Sequence, residues 1–320
     1  MKLRNAGTGD LSALCDLWLR AAPAQGYAPL QEEQMRALIF ENPHFDGRLS
    51  FMLEENGAHG FACAAFGDDL PGGAKRGYFS FAVTDEAAGR AGFDRLAQAL
   101  EDALRRAGCE TSDVLFFNPI RLPWLIPGTP GHGHNNAPGL WVECPAHEWM
   151  LARGYTERAR ECAMYLRLGD FSLPPALVQR QRALEAQGYR VDFYRRGEHT
   201  GLERMLRTLG NAEWEREITA CAANETPFLA ALCAQEVVGF AGPVRPQPDG
   251  RGYFTGIGVV PAHEGHGLGT QLFYRLCEAE QQAGAKYMSL FTGEGNPARG
   301  IYEKAGFRAV RTFGILRKKL

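Results

Sequence analysis

The chain has 320 residues, of which 45% are apolar and 22% charged, with a net charge of −2. This composition is typical of a globular protein and excludes an intrinsically disordered chain. The balanced charge gives no indication of a nucleic-acid-binding surface, and no apolar run approaches the roughly 18 residues of a membrane span. Because a typical domain holds ~100–200 residues, the length predicts two domains.

The start of the chain lacks the apolar core of a signal peptide and is already patterned like folded sequence. Eight cysteines are scattered along the chain, and no pair has C-x-x-C spacing. This usage predicts buried free thiols in a reducing compartment and neither disulfides nor a metal site. We therefore expect a cytoplasmic protein, a monomer or a homodimer, without nucleic-acid or membrane partners.

The first half of the chain alternates predicted strands and helices. Asp10 is expected to cap the first helix, and Glu55, Asn56 and Gly57 are expected to form a hairpin turn. The hydrophobic spacing predicts helices over residues 11–21, 30–41, 93–107 and 148–152, and strands over residues 2–5, 49–54, 60–66, 77–83, 113–117 and 159–168.

Residues 118–147 are rich in Pro, Gly, His and Trp and are predicted to form an irregular loop. The segment His132–Gly133–His134–Asn135–Asn136 lies within it and offers metal ligands or acceptor-lining groups. An H-x-H pair without further ligands is a poor zinc signature, so a structural or substrate-lining role is favoured.

Gly169–Asp170 and Pro174–Pro175 mark the expected domain boundary. The predicted division is a first domain at 1–168, a linker and connecting helix at 169–188, and a second domain at 189–320. The second half is expected to repeat the order of the first, with helices over residues 177–187, 202–209, 213–223, 268–283 and 297–304, and strands over residues 189–194, 228–233, 237–241, 253–260, 287–291 and 307–317.

A glycine-rich turn joins the predicted strand 253–260 to the long helix 268–283. Such a turn is suited to an anion, because the first N–H groups of the helix are unpaired and lie at the positive end of its dipole. No Lys follows the glycines, which excludes a Walker loop. The glycines also lack G-x-G-x-x-G spacing, which argues against a dinucleotide fingerprint and a nucleotide-phosphate enzyme.

Two further features favour a ligand site over a plain surface turn. Gly256 and Gly258 lie two apart on one face of the strand, where glycines often mark a bulge or the close approach of a ligand. Asn296 and Tyr302 flank a short helix, and their spacing can direct both toward one end of the sheet.

These motifs resemble the Gcn5-related N-acetyltransferases over about residues 189–320. The chain carries Glu264-Gly265-His266-Gly267-Leu268-Gly269, followed by Asn296 and Tyr302-Glu303-Lys304-Ala305-Gly306-Phe307. The resemblance implies an α/β (α+β) fold of two tandem domains, each a mixed, mostly antiparallel twisted sheet flanked by helices. It implies acetyl-CoA as cosubstrate and no metal. The implied cofactor-binding residues are Ile257, Val259, Val260, Gly265, Gly267, Leu268, Gly269, Thr270 and Asn296.

The resemblance also implies direct attack of an amine on the thioester, with Tyr302 as the acid that protonates the leaving thiolate. A main-chain N–H near Val259 is expected to hold the oxyanion. The family usually has Arg or Gln where this chain has Glu264, whose carboxylate would repel a pyrophosphate unless it points to solvent. His263 and His266 are expected to be solvated loop residues, and no general base is evident beyond the weak candidates Glu236 and Glu294.

The first half aligns as a degenerate copy of the second. Met150 stands in the place of Tyr302, Cys144 in that of Asn296, and residues 83–90 replace the glycine motif, with Asp85 and Glu86 opposing a phosphate. We therefore expect one coenzyme per chain. The predicted function is transfer of an acetyl group to a primary amine of a small molecule or peptide; the alternative is a non-catalytic CoA-binding or regulatory protein.

Overall fold

A computed structural model describes residues 1–115 and 118–320. The chain divides into two compact units. The first comprises Met1–Ala163, Phe291–Glu294 and Val310–Leu320, and the second comprises Met164–Leu290 and Gly295–Ala309. Among the described residues, no helix has both the length and the apolar character needed to cross a membrane.

The first unit follows the predicted alternation closely. In chain order its elements are β1 (Lys2–Asn5), α1 (Leu11–Ala21), α2 (Glu32–Met35), β2 (Ser50–Glu54), β3 (Ala58–Ala65), β4 (Arg76–Thr84), α3 (Gly89–Arg106), β5 (Thr111–Val114), β6 (Trp124–Leu125), β7 (Gly133–His134), β8 (Leu140–Trp141), α4 (Pro145–Ala152) and β9 (Thr156–Arg167), which ends in the second unit.

Strands β1 to β5 form a sheet in chain order, with antiparallel pairs throughout except for the parallel pair β4–β5. Phe61 and Phe81 pack in edge-to-face contacts on one face of this sheet, against Trp18 of α1. The alternate residues Ala62 and Ala64 join α3 in the main hydrophobic core. Helices therefore cover both faces of the sheet. Successive side chains along a strand point to opposite faces, so a strand with an unbroken run of buried residues needs cover on both.

Three expectations for this unit need correction or restriction. Asp10 does not cap α1 with its side chain; its carboxylate accepts from the Gly7 N–H and pairs with Arg4 instead. The predicted helix 30–41 is one α-helical turn followed by the π-helical segment Arg36–Phe40. The predicted strand 113–117 is described only in part, since residues 116 and 117 lie outside the described residues.

The predicted loop 118–147 is largely irregular, as expected, and holds only the short strands β6, β7 and β8 before α4 begins. The turn at Asn56 and Gly57 is also confirmed, because both residues have positive φ angles of 56° and 144°. All eight cysteines are free thiols; Cys233 is half-buried and the other seven are buried.

The second unit contains the glycine motif. Its elements are α5 (Pro175–Glu185), β10 (Tyr189–Phe193), α6 (Leu202–Leu209), α7 (Ala212–Ala223), β11 (Leu229–Cys233), β12 (Glu236–Gly242), β13 (Arg245–Pro246), β14 (Arg251–Tyr253), β15 (Gly256–Val259), α8 (Leu268–Gln282), β16 (Tyr287–Gly293), α9 (Arg299–Lys304) and β17 (Arg308–Lys319), with the ends of β16 and β17 belonging to the first unit.

The expectation of one continuous strand over residues 253–260 is wrong. The chain forms two strands, β14 and β15, separated at Phe254 and Thr255. β14 pairs in parallel with β16, whereas β15 pairs antiparallel with β12 in the four-stranded sheet β10–β11–β12–β15. Only Phe254 and Thr255 separate the two strands and neither is a Gly or Pro, so the sequence pattern does not reveal the change of partner.

Helices cover this second sheet. α6 and α7 share a core with Phe228, Phe240 and other apolar residues of the strands, while α8 packs against β11, β12 and β15. Both units thus have mixed, mostly antiparallel sheets flanked by helices, which confirms the predicted fold class.

Helix α5 is held against α8 by side chains of α8. The buried Gln271 donates from Nε2 to the main-chain oxygen of Leu177 at 2.7 Å, and Arg275 donates to the side chain of Gln181. Gln281 donates to the main-chain oxygens of Leu168 and Phe171. The segment predicted as a connecting linker is therefore an integral part of the second unit.

Candidate functional site

The open edge of β15 offers main-chain groups to a ligand. β15 is the edge strand of its four-stranded sheet, and the Val260 N–H donates to the Val238 carbonyl at 2.9 Å. Along an antiparallel strand, successive N–H groups point to opposite sides. Because the Val260 N–H faces β12, the N–H groups of Ile257 and Val259 face away from it, along the edge. An extended ligand can pair with this edge as an added strand does.

The two strand glycines do not serve the close ligand approach that their spacing suggested. A Cβ at Gly256 would lie 2.8 Å from Cζ2 of Trp214, and one at Gly258 would lie 2.8 Å from Cδ1 of Leu209. Trp214 is fixed there by donating from its indole N–H to the main-chain oxygen of Thr255 at 3.1 Å. The glycines therefore make room for the side chains of α6 and α7 on this face of β15.

The glycine-rich turn leads from β15 into α8. Gly265 and Gly267 both have a φ of +82°, a left-handed conformation that glycine adopts without strain, and Gly267 is the N-cap residue of α8. Leu268 anchors the first helical turn in the core, while Gly269 and Thr270 are half-buried. The turn thus presents the free N–H groups at the positive end of a 15-residue helix.

Glu264 is exposed, as expected, so its carboxylate lies in solvent. The two loop histidines are not simply solvated, which corrects the expectation for them. His263 Nδ1 lies 2.9 Å from the Tyr189 hydroxyl, and the His266 ring lies 4.7 Å from the Tyr189 ring, centroid to centroid. His266 Nδ1 also lies 3.3 Å from Gln187 Oε1. Both histidines therefore brace the turn against β10 and the residues before it.

Tyr302 is buried in a small aromatic cluster beside α8. Its ring centroid lies 4.7 Å from that of Phe273, and Phe273 in turn lies 6.2 Å from Phe254 at the break between β14 and β15. Phe273, which the sequence analysis did not single out, thus connects the strand break, the helix and Tyr302. Burial raises the pKa of the Tyr302 phenol above its ordinary value of 10.0, so the hydroxyl carries its proton at neutral pH.

Asn296 lies before α9, on the exposed side of the same region. Its side-chain oxygen accepts from the Ala298 N–H at 2.9 Å, so in this structure it stabilises the turn that leads into the helix carrying Tyr302. Of the weak candidates for a base, Glu236 pairs with Arg204 and Glu294 is exposed among the residues assigned to the first unit.

A basic residue that sequence reasoning missed lies directly over the glycine turn. A Cβ at Gly267 would lie 2.7 Å from Cζ of Arg180, so the guanidinium occupies the space above the N-cap of α8. Arg180 belongs to α5, outside the recognised motifs. Only the contacts between α5 and α8 reveal it, and no local sequence pattern signals it.

In the first unit a carboxylate lies just before the corresponding helix. The Asp85 carboxylate accepts from the Ala88 N–H at 3.1 Å just before α3 and pairs with His59 at 2.9 Å. Met150, in the place of Tyr302, is fully buried in the core, and Cys144 is also buried. A negative charge fixed just before this helix opposes the binding of a phosphate there.

One histidine of the loop, His134, packs within the first unit. His134 is buried, its Nδ1 accepts from the Asn136 N–H at 3.2 Å, and its ring lies 4.4 Å from that of Phe291. Over residues 1–115 and 118–320, no cluster of three or more metal-ligating side chains could hold a metal ion.

The comparisons agree with a tandem α/β architecture. Residues 191–307, which lie in the second unit except for Phe291–Glu294, match the model of the acetyltransferase (GNAT) family. This stretch contains every predicted cofactor-binding residue and Tyr302. We found no significant sequence match to a curated protein.

Solved structures show the same fold over nearly the whole chain. A GCN5-related N-acetyltransferase from Sphaerobacter thermophilus has 14% identity and a TM-score of 0.63, with 99% of this chain and 95% of that chain covered. A tandem GNAT protein from the clavulanic acid biosynthesis pathway has 15% identity and a TM-score of 0.57, with 99% and 98% covered. A glucosamine N-acetyltransferase region of a fungal multi-domain protein has 12% identity and a TM-score of 0.69 over 99% of this chain, but the match spans only 38% of that longer chain.

Proposed function

We propose that the protein is an acetyl-CoA-dependent N-acetyltransferase whose acceptor is a primary amine of a small molecule or peptide. One observation carries this proposal: the free edge of β15 leads directly into a left-handed glycine turn and the open N-terminus of α8. An open strand edge followed by an anion-binding turn fits a ligand with an extended arm that ends in phosphates. The family match of residues 191–307 supports the same reading.

In this proposal each part of the site holds one part of acetyl-CoA, the donor substrate, which brings the reactive thioester. Ile257, Val259 and Val260 hold the pantetheine arm along β15. The N–H groups from Gly265 to Thr270, including those of Gly267, Leu268 and Gly269, hold the pyrophosphate, and Asn296 contributes from the turn before α9. The first unit holds no coenzyme.

The proposed reaction is a direct transfer in a ternary complex. The lone pair of the acceptor amine attacks the thioester carbonyl carbon, and the main-chain N–H of Val259 stabilises the negative charge that develops on the carbonyl oxygen. The C–S bond then breaks, and Tyr302 donates its proton to the departing sulfur. The excess proton of the amine passes to solvent through water, and Tyr302 is reprotonated from the same source. Tyr302 can supply this proton because a phenol is protonated at neutral pH, and burial raises its pKa further.

Replacement of Tyr302 with Phe tests the assignment. The phenyl ring keeps the packing against Phe273 but removes the proton, so turnover should fall about 10²–10⁴-fold, the usual contribution of a general acid. The affinity for acetyl-CoA should change little, because the hydroxyl acts on the leaving group only. Free-thiol release over a panel of amines measures turnover, and calorimetry measures binding. Unchanged turnover in the variant would refute the role of Tyr302.

A second candidate function, a CoA-binding protein without catalysis, is favoured by one observation. Glu264 places a carboxylate in the turn that should hold a pyrophosphate. The same panel separates the two functions: thiol release that depends on an amine identifies a transferase, whereas CoA binding with no release for any amine identifies a binding protein.

A further inference from the structure

We infer that Arg180 is a phosphate-binding residue for CoA, delivered by α5 to the glycine turn from outside the family motif. This inference rests on the proposed function, because it concerns the same donor site. The turn itself contributes a carboxylate at Glu264 and no Lys or Arg, so it has no positive side chain for the phosphates of CoA. In this inference α5 supplies that positive charge.

The position of Arg180 is the first support. Its guanidinium lies against the Cα of Gly267, since a Cβ there would be 2.7 Å from Cζ of Arg180. Glycine at position 267 is therefore needed for two reasons, its φ of +82° and the space taken by the guanidinium. The group stands beside the N–H groups that begin α8, within reach of any anion bound to them.

The scaffold that holds Arg180 is the second support. Leu177 and Gln181, which flank it on α5, are bound by Gln271 and Arg275 of α8. Gln271 is only 1% exposed, and its amide is committed to this contact. The chain thus fixes α5 along the first turns of α8, which holds the backbone of the exposed Arg180 beside the glycine turn.

The third support is electrostatic. A cation at the N-terminus of a helix is placed unfavourably, because the helix dipole is positive there. Among the ion pairs and side-chain hydrogen bonds of the described residues, none involves the Arg180 guanidinium, and Glu264 forms no ion pair with it. Two positive features therefore face the same space. A phosphate bound there satisfies both at once, and guanidinium matches phosphate oxygens in a bidentate geometry.

The experiment measures binding of CoA by calorimetry to the full-length protein and to Arg180→Gln. The matched control is Arg182→Gln, which removes the same charge from the same helix at a residue that is exposed, as Arg180 is, but does not cover Gly267. We expect Arg180→Gln to raise the Kd for CoA about tenfold, as loss of a charge-assisted hydrogen bond in a partly exposed site predicts. Arg182→Gln should leave the Kd unchanged, and the salt dependence of binding should weaken in Arg180→Gln alone.

Two further probes locate the contact. Dephospho-CoA lacks the 3′-phosphate, so a loss seen with CoA but not with dephospho-CoA assigns Arg180 to the 3′-phosphate. An equal loss with both assigns it to the pyrophosphate, and pantetheine, which lacks all phosphates, should bind both proteins equally.

The outcomes that overturn the inference are distinct from those that overturn the function. Wild-type protein that binds CoA while Arg180→Gln binds it equally well overturns the role of Arg180 alone. Equal losses in Arg180→Gln and Arg182→Gln do the same, since they show a general charge effect. Wild-type protein that does not bind CoA at all overturns the proposed function and this inference together.

Discussion

Glu280 lies in the last turn of α8 with its side chain fully buried. Its Oε1 accepts from the main-chain N–H of Arg245 at 2.9 Å, whereas Oε2 has no hydrogen-bond partner among the described residues. The carboxyl packs against Gly252, and the buried Arg251 lies on the same strand. Burial raises the pKa of Glu280 to about 7, although the positive charges of Arg245 and Arg251 oppose this shift. A carboxyl without a second partner is better accommodated when protonated.

The magnitude follows from the linkage between proton binding and folding. The ordinary pKa is 4.5 and the folded pKa is about 7, so the folded state binds this proton more tightly than the unfolded state. Stability from this group is therefore present below pH 4.5 and is lost as the pH rises toward 7. A shift of about 2.5 pKa units corresponds to about 3 kcal/mol, most of which should be lost between pH 5 and pH 8.

The substitution Glu280→Gln removes this titration and keeps an oxygen to accept from Arg245. The free energy of unfolding of Glu280→Gln minus that of wild type should increase by about 2–3 kcal/mol from pH 5 to pH 8, because only wild type loses stability over this range. Urea unfolding of both proteins at pH 5, 6, 7 and 8 measures this difference. Glu264→Gln, at an exposed position, is the control and should show no such trend. A difference between Glu280→Gln and wild type that does not change with pH would refute the reasoning.

Two more predictions concern the candidate site in the second unit and the degenerate copy of it in the first unit. Gly256→Ala should lower the free energy of unfolding by about 1–3 kcal/mol, because the new Cβ overlaps the Trp214 ring; Gly295→Ala, with nothing within 4 Å of its Cβ position, should cost little in the same thermal or urea unfolding. Calorimetry should give one CoA bound per chain, because the Asp85 carboxylate, fixed just before α3, repels a phosphate at the helix start of the first unit; two equivalent sites would contradict this.

Much of the fold follows from local pattern. Helices α1 and α6 begin and end at the residues that apolar spacing predicted, and the hairpin at Asn56 and Gly57 forms where turn chemistry placed it. These features depend on residues close in sequence, so periodicity and backbone preference suffice to predict them. The glycine turn is similar, since its left-handed backbone is a property of glycine itself.

The surroundings of the site are different. Trp214 fills the face of β15 at Gly256, and Arg180 covers Gly267, yet neither contact has a signature in either partner's own stretch of sequence. The break between β14 and β15 likewise depends on which strand lies beside each segment. The sequence by itself determined most of the elements, the glycine turn before α8 and the choice of Tyr302 as the candidate acid. Only the tertiary structure decided what packs on the strand glycines and which charge faces the turn, because such contacts join residues far apart in the chain.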